Sequence, residues 1–354
     1  MGNCLRNPKT SFSSATNYHT ESVASPPQEE ADVDSDAEPM ENIVSPNLKM
    51  YTLAELQSAT RNFTRHENLD EKGGFQVGGV YKGWVDEATL APSQLSIGIP
   101  VVVKKYQLDS DHSLKECKTE VKFLGKSSHS NVVKLLGYCW EDQQFFLVYE
   151  YMQKRSLDTI LFRNGEQLSW QTRLQILIGA ARGLAYLHTE LNVIHRDFKT
   201  ASVLLDGDFN AKVSDLGLAK PGPTNGYSHV CTDVVGTYGY AAPEYVATGN
   251  LYVNSVVYNF GVVLLEILTG RRVMDMNRPR NEDNLVDWAR PYLHNKGKLK
   301  RIMDPKLEDR FPIKAAYKAA ALVLKCLLHS PKDRPDMNEV LNTLEHIKTI
   351  PMSS

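Results

Sequence analysis

Lys104 ends a run of valines, Val101-Val102-Val103, as a lysine does when a buried strand delivers it to nucleotide phosphates. Such a lysine needs a carboxylate partner, and Glu120 stands beside the apolar stripe of the helix pattern that follows. Further on, His195-Arg196-Asp197-Phe198-Lys199 comes after a helical pattern ending at His188. Asp197 suits accepting or orienting a hydroxyl proton, and Lys199 suits steadying a transferring phosphate. Asp215-Leu216-Gly217 brings a carboxylate suited to a hard cation. Ala242-Pro243-Glu244 closes the set, with Arg334 far downstream as a partner for Glu244. Any one of these alone reads as an ordinary surface charge. In this order they describe phosphoryl transfer, which depends on positioned phosphates, charge neutralisation and a base at the acceptor hydroxyl.

Those residues need two kinds of scaffold. From Asn68 to about Glu150, valine-rich and aromatic runs such as Phe145-Phe146-Leu147-Val148 predict strands. One helix interrupts them, with Leu114, Cys117, Val121 and Leu124 on one face. From Leu168 onward helical periods take over: Leu174, Leu177, Ala181 and Leu184 in one stripe, and Met337, Val340, Leu341, Leu344 and Ile347 in the last. A β-rich lobe followed by an α-rich lobe predicts a two-lobed α+β molecule with a cleft between them. Ahead of the strands, Thr52-Leu53-Ala54-Glu55 is a capping box, opening a short helix with Leu53, Leu56 and Ala59 as its apolar stripe, ending near Phe63. The divisions expected are an arm at 1–48, a helical extension at 49–66, a β-rich lobe and hinge at 67–152, and a helical lobe at 153–350.

The 354 residues, 42% hydrophobic, can bury substantial cores. Lys+Arg number 40 against 42 Asp+Glu, a balance that offers no argument for nucleic acid. The cysteines (Cys4, Cys117, Cys139, Cys231 and Cys326) lack metal-ligand spacing and read as reduced thiols. The longest apolar stretch, Val262 to Leu268, is broken by Glu266 and is too short to span a bilayer. The arm, rich in Ser, Pro, Glu and Asp, cannot offset its ordering entropy and reads as disordered. Its start, Met1-Gly2-Asn3-Cys4, offers Gly2 for myristate and Cys4 for palmitate. Two acyl chains anchor where one does not, and Arg6 and Lys9 favour an anionic inner leaflet, although Arg6 stands where Ser or Thr is usual. The expected location is the cytosolic face of the plasma membrane, lipid-anchored.

The span from Tyr51 to Ile350 resembles plant receptor-like cytoplasmic kinases of subfamily VII. The resemblance rests on Tyr51-Thr-Leu-Ala-Glu-Leu-Gln-Ser-Ala-Thr60, Lys82-Gly-Trp-Val-Asp86, Leu135-Leu-Gly-Tyr-Cys139 and Gly236-Thr-Tyr-Gly-Tyr-Ala-Ala-Pro-Glu-Tyr245. It implies a bilobal protein kinase fold, a small lobe with one regulatory helix, and ATP with Mg2+ in the cleft. It makes Tyr149 the gatekeeper and Glu150, Tyr151 and Met152 the hinge beside adenine, with Ser228, Thr232 and Thr237 as activation-segment phosphorylation candidates. Lys199 and the Gly236-Thr237 turn look like the Ser/Thr class. The implied partners are protein substrates and receptor-like kinases or immune receptors, in signalling that often serves immunity or growth.

Four departures from the family pattern bear on activity. The glycine-rich loop reads Leu69-Asp-Glu-Lys-Gly-Gly-Phe-Gln-Val-Gly-Gly-Val80, with Asp70 for the first glycine, extra residues, and Gly73, Gly74, Gly78 and Gly79 left to form a looser lid. Ser202 replaces the asparagine that holds a metal ion, offering a shorter oxygen ligand. Val256 replaces an aspartate that accepts from the catalytic-loop backbone, leaving donors unsatisfied at roughly 1–3 kcal/mol. Asp233 follows Thr232 where arginine is usual; it reads as a solvated surface aspartate, with mimicry of a phosphate toward Arg196 as the alternative. Leu216 for phenylalanine keeps an apolar stack with Leu124 and His195. Two readings stay open: an active Ser/Thr kinase, or a pseudokinase scaffold that keeps the fold and a nucleotide.

Overall fold

The structure is a computed structural model that describes residues 10–12, 47–64, 77–95, 97–107, 111–163, 166–295 and 297–352. Period-2 alternation builds the smaller lobe. In β4 (Ile99–Tyr106), Val101 and Val103 point to one face and Val102, Lys104 and Tyr106 to the other. In β6 (Gln144–Glu150), Phe146 and Val148 share the first face, and Phe145, Leu147 and Tyr149 the second. With β2 (Lys49–Met50), β3 (Val77–Val85) and β5 (Leu135–Glu141) they form a five-stranded sheet in the order β2-β5-β6-β4-β3. Both faces of the inner strands are covered, which is why they read as continuous apolar runs rather than alternating ones.

The first face is covered by α1 (Leu53–Thr60), whose Leu56 and Ala59 join Tyr51, Val101, Val103, Phe146 and Val148 in a separate core. Its capping box forms as the sequence predicts: Thr52 Oγ1 accepts from the Glu55 amide, and Glu55 accepts from the Thr52 amide. The second face is covered by α2 (Asp111–Leu124), with Cys117, Val121 and Leu124 buried and Leu114 half-buried.

The larger lobe is organised on α4 (Trp170–Thr189) and α6 (Ser255–Thr269). Nearly every residue of α6 is buried, as befits a helix apolar all round. Around them stand α3 (Leu157–Phe162), α5 (Pro243–Thr248), α7 (Leu285–Leu293), α8 (Ile313–Cys326) and α9 (Met337–Lys348). Short strands brace the loops between helices. β7 (Arg155–Ser156) pairs with β9 (Val203–Leu205) and β9 with β10 (Ala211–Val213), while β8 (Val193–Ile194) pairs with β11 (Lys220–Pro221). Together the lobes are the bilobal α+β protein kinase fold expected from the sequence.

Within the arm expected to be disordered, Thr10–Phe12 forms a strand, β1, that pairs in parallel with β13 (Val234–Gly236), Ser11 lying opposite Val235. Strand addition uses main-chain groups and needs no apolar surface of its own. β12 (Val230–Cys231) pairs with β14 (Asn250–Leu251). Cys117, Cys139 and Cys326 are free and buried, whereas Cys231 is disulfide-bonded, a departure from the expectation of reduced thiols throughout.

Candidate active site

Strand β4 delivers Lys104 and helix α2 delivers Glu120 to one point beneath the sheet. The Lys104 ammonium lies 3.9 Å from Glu120 Oε2 and 3.5 Å from Asp215 Oδ1, so the three groups placed in one mechanism by sequence converge. Burial works against the charge on Lys104, but the two carboxylates outweigh it and hold its pKa above the usual lysine value. One member of this cluster went unread: the Tyr106 hydroxyl donates to Glu120 Oε2 at 2.5 Å. The signal was available, because period 2 puts residues 104 and 106 on the same face.

The catalytic loop is fixed from below. Phe198 is fully buried and its ring stacks on Phe260 of α6 with centroids 6.1 Å apart. His195 Nε2 donates to the Ser214 carbonyl at 2.8 Å, and burial pushes its pKa down. Above this base, Lys199 Nζ donates to Asp197 Oδ2 at 2.6 Å and to Thr237 Oγ1 at 2.8 Å. The other carboxylate oxygen, Asp197 Oδ1, is buried without a hydrogen-bond partner. Gly236 closes over it with φ +135°, and a Cβ there would stand 3.2 Å from the Arg196 carbonyl.

Ser202 braces this loop from within. It is fully buried, and its hydroxyl donates to the Asp197 carbonyl at 3.1 Å while its carbonyl accepts from Ser214. The side chain expected to ligate metal also holds Asp197 in place. Val256 is fully buried one helical turn before Phe260, on the side of α6 that meets the loop, and it offers no acceptor. His195 Nδ1 is left buried and unpaired.

Arg196 organises the activation segment. It donates to the Tyr245 hydroxyl at 2.9 Å, to the Leu218 carbonyl at 3.2 Å, to Thr232 Oγ1 at 3.3 Å and to the Asp233 carbonyl at 2.8 Å. Arg196 meets Asp233 through its main chain, and the Asp233 residue is exposed, so the alternative of phosphate mimicry toward Arg196 gives way to the solvated surface aspartate. The three phosphorylation candidates fall in different settings: Thr237 inside the site, Thr232 on Arg196, and Ser228 exposed beside His229. Glu244 and Arg334 meet as the sequence predicts, through paired contacts of 2.7 and 2.5 Å.

At the hinge, Met152 is buried. The Glu150 carboxylate receives Lys212 Nζ at 2.7 Å and the Lys134 amide, so its side chain ties the hinge to β10. Leu216 fills the apolar stack with Leu124. Gly78 lies at the start of β3, beside a register shift between Val77 and Gly79. Gly73, Gly74, Gly2 and Cys4 lie outside the described residues. Among the described residues no group of three or more His, Cys, Asp or Glu could hold a metal ion. A magnesium ion, which takes one or two carboxylates beside substrate phosphates, has Asp215 available to it in the cleft, where that side chain is 49% exposed.

A model of the protein tyrosine and serine/threonine kinase family matches residues 69–344. The chain belongs to the protein kinase family. Among similar curated proteins, the probable serine/threonine-protein kinase PBL10 of Arabidopsis thaliana is 53% identical over 88% of this chain and 76% of its own length. The probable serine/threonine-protein kinase CST of the same plant is 48% identical over 96% of this chain and 81% of its own. Receptor-like cytoplasmic kinase 176 of Oryza sativa subsp. japonica is 50% identical over 85% and 77%. The kinase is therefore of the serine/threonine, receptor-like cytoplasmic type. No helix among its described residues is long and apolar enough to cross a membrane.

Proposed function

We propose that this kinase binds ATP with Mg2+ between its lobes and transfers the γ-phosphate to a serine or threonine hydroxyl of a protein partner. The observation that carries this reading is the pair of oxygens on Asp197: Oδ2 held by Lys199, Oδ1 buried and unpartnered. Oδ1 is the acceptor for the hydroxyl proton as the acceptor oxygen bonds phosphorus and ADP leaves. Lys199, already bridging Asp197 and Thr237, steadies the transferring group. Lys104 holds the phosphates with Glu120 behind it, and Arg196 keeps the activation segment in register. ATP supplies the phosphoryl group, and Mg2+ neutralises charge on its phosphates. Asp215 suits that ion, and the Ser202 hydroxyl, while donating to the Asp197 carbonyl, keeps lone pairs that a second ion could use.

We assign the kinase to the cytosolic face of the plasma membrane through acylation at Gly2, and at Cys4 when that thiol is free, beneath receptor-like kinases or immune receptors. Gly2→Ala should move it from the membrane fraction to the soluble fraction.

A second reading, scaffolding without transfer, is favoured by one observation: Val256, buried in α6, gives the catalytic loop no acceptor. One assay separates the two. Purified full-length protein is incubated with labelled ATP, Mg2+ and a generic Ser/Thr substrate, with Asp197→Asn as control. Transfer well above the control supports the kinase reading; transfer at the control's level sinks it in favour of the scaffold.

A further inference from the structure

We propose that Tyr106 is a positioning residue for the Lys104–Glu120 pair, and that its hydroxyl competes with the Lys104 ammonium for one carboxylate oxygen and thereby weakens nucleotide binding. The proposal rests on the nucleotide-binding reading above. It starts from a shared atom. Glu120 Oε2 lies 2.5 Å from the Tyr106 hydroxyl and 3.9 Å from Lys104 Nζ. A hydroxyl donating to a carboxylate at that length is a charge-assisted bond, whereas 3.9 Å lies beyond any hydrogen bond.

Tyr106 also touches the other partner. The Lys104 ammonium lies 4.8 Å from the centroid of its ring, a cation–π distance, so one side chain contacts both members of the ion pair. The ring is held in turn by an edge contact with Phe145, centroids 6.2 Å apart. Burial, then the Glu120 charge, pushes the Tyr106 phenol well above its usual pKa, so it remains a proton donor. Lys104 meanwhile sits nearer Asp215, at 3.5 Å, than Glu120. Productive phosphate binding requires the lysine to be backed by the helix glutamate. To reach that arrangement, Lys104 has to displace a short hydrogen bond.

A tyrosine on the other face of the sheet provides the internal control. The Tyr51 hydroxyl is buried in the small lobe's separate core and has no hydrogen-bond partner. It has the same chemistry as Tyr106 away from Lys104 and Glu120.

Tyr106→Phe keeps the ring and removes the hydroxyl. In full-length protein, the Kd for ATP with Mg2+, measured calorimetrically, should fall by about threefold to tenfold, the range to which one hydrogen bond's net worth converts. Tyr51→Phe, which removes a buried hydroxyl on the other face of the sheet, should leave it unchanged. A second measurement needs no nucleotide: the rate at which an amine-reactive reagent labels Lys104, read by mass spectrometry. It should slow in Tyr106→Phe, where Glu120 holds the ammonium more closely, and stay the same in Tyr51→Phe. A purely structural role would lower the melting temperature without tightening Kd or slowing labelling, and that result overturns the proposal. So does a labelling rate or Kd that responds to Tyr51→Phe instead. If the unsubstituted protein binds no ATP, the nucleotide reading falls, while the labelling rates still judge the role of Tyr106.

Discussion

Two ion pairs, one in each lobe, are built from similar groups and behave as opposites. Arg334 and Glu244 meet in two parallel contacts, and the arginine's remaining donors go to the carbonyls of Leu328, Asn254 and His329. All of the guanidinium's N–H groups are thereby satisfied. Glu244 also receives the Ser255 hydroxyl at 2.8 Å. Lys104 and Glu120, by contrast, stand 3.9 Å apart, each shared with a third group. A planar fork that uses every donor has one good arrangement and acts as a fixed anchor. A flexible ammonium with several partners has many, which suits a group that must turn toward a ligand.

The largest test of this contrast breaks the anchor. Arg334→Ala leaves the partly buried Glu244 without its cation and should cost roughly 3–5 kcal/mol of stability in urea unfolding. A loss below about 1 kcal/mol would show that the two pairs do not differ as described.

The next test uses a third buried carboxylate that has no cation. Glu266 of α6 accepts from the Tyr240 hydroxyl at 2.6 Å and the Val273 amide at 2.8 Å. Burial raises its pKa from 4.5 to about 7, against those hydrogen bonds. A raised carboxyl pKa means the folded state holds the proton that the unfolded state has released between those two values. This group's contribution to stability is therefore present at pH 4.5 and lost as pH rises toward 7, by about 3 kcal/mol. Glu266→Gln keeps an acceptor and removes the titration, so its unfolding free energy should fall less than the parent's between pH 5 and pH 8. Parallel curves would refute the assignment.

The smallest stability effect is expected at the loose pair. Glu120→Gln still accepts from Tyr106, and should change stability by about 1 kcal/mol or less. Its ATP affinity should nevertheless drop about tenfold, because Lys104 loses its backing charge. Equal damage to stability at Glu120 and Arg334 would erase the distinction between anchor and movable pair.

Much of the site was legible because its residues sit in patterns with a period. The valines of β4 announce a buried strand, so its terminal lysine is read with it. The stripe Cys117, Val121 and Leu124 sets the phase of α2 and hence the direction of Glu120. What escaped has no local period. Arg173 and Asp304 form a fully buried contact of 2.6 Å across 131 positions, and nothing near either residue announces it. The Glu150–Lys212 tie spans 62 positions in the same way. Ser202 was visible as a substitution, but its residue type could not say whether the hydroxyl turned outward or donated to the Asp197 carbonyl.

By itself the sequence determined which groups exist, in what order, and on which face of a strand or helix each must lie, because those follow from local periodicity and burial. Only the tertiary structure decided how the groups are shared. It gave the Glu120 oxygen to Tyr106 before Lys104, and the Arg196 donors to main-chain carbonyls as well as to Thr232. Sharing depends on differences of about an ångström between groups from distant segments, and packing alone sets those distances.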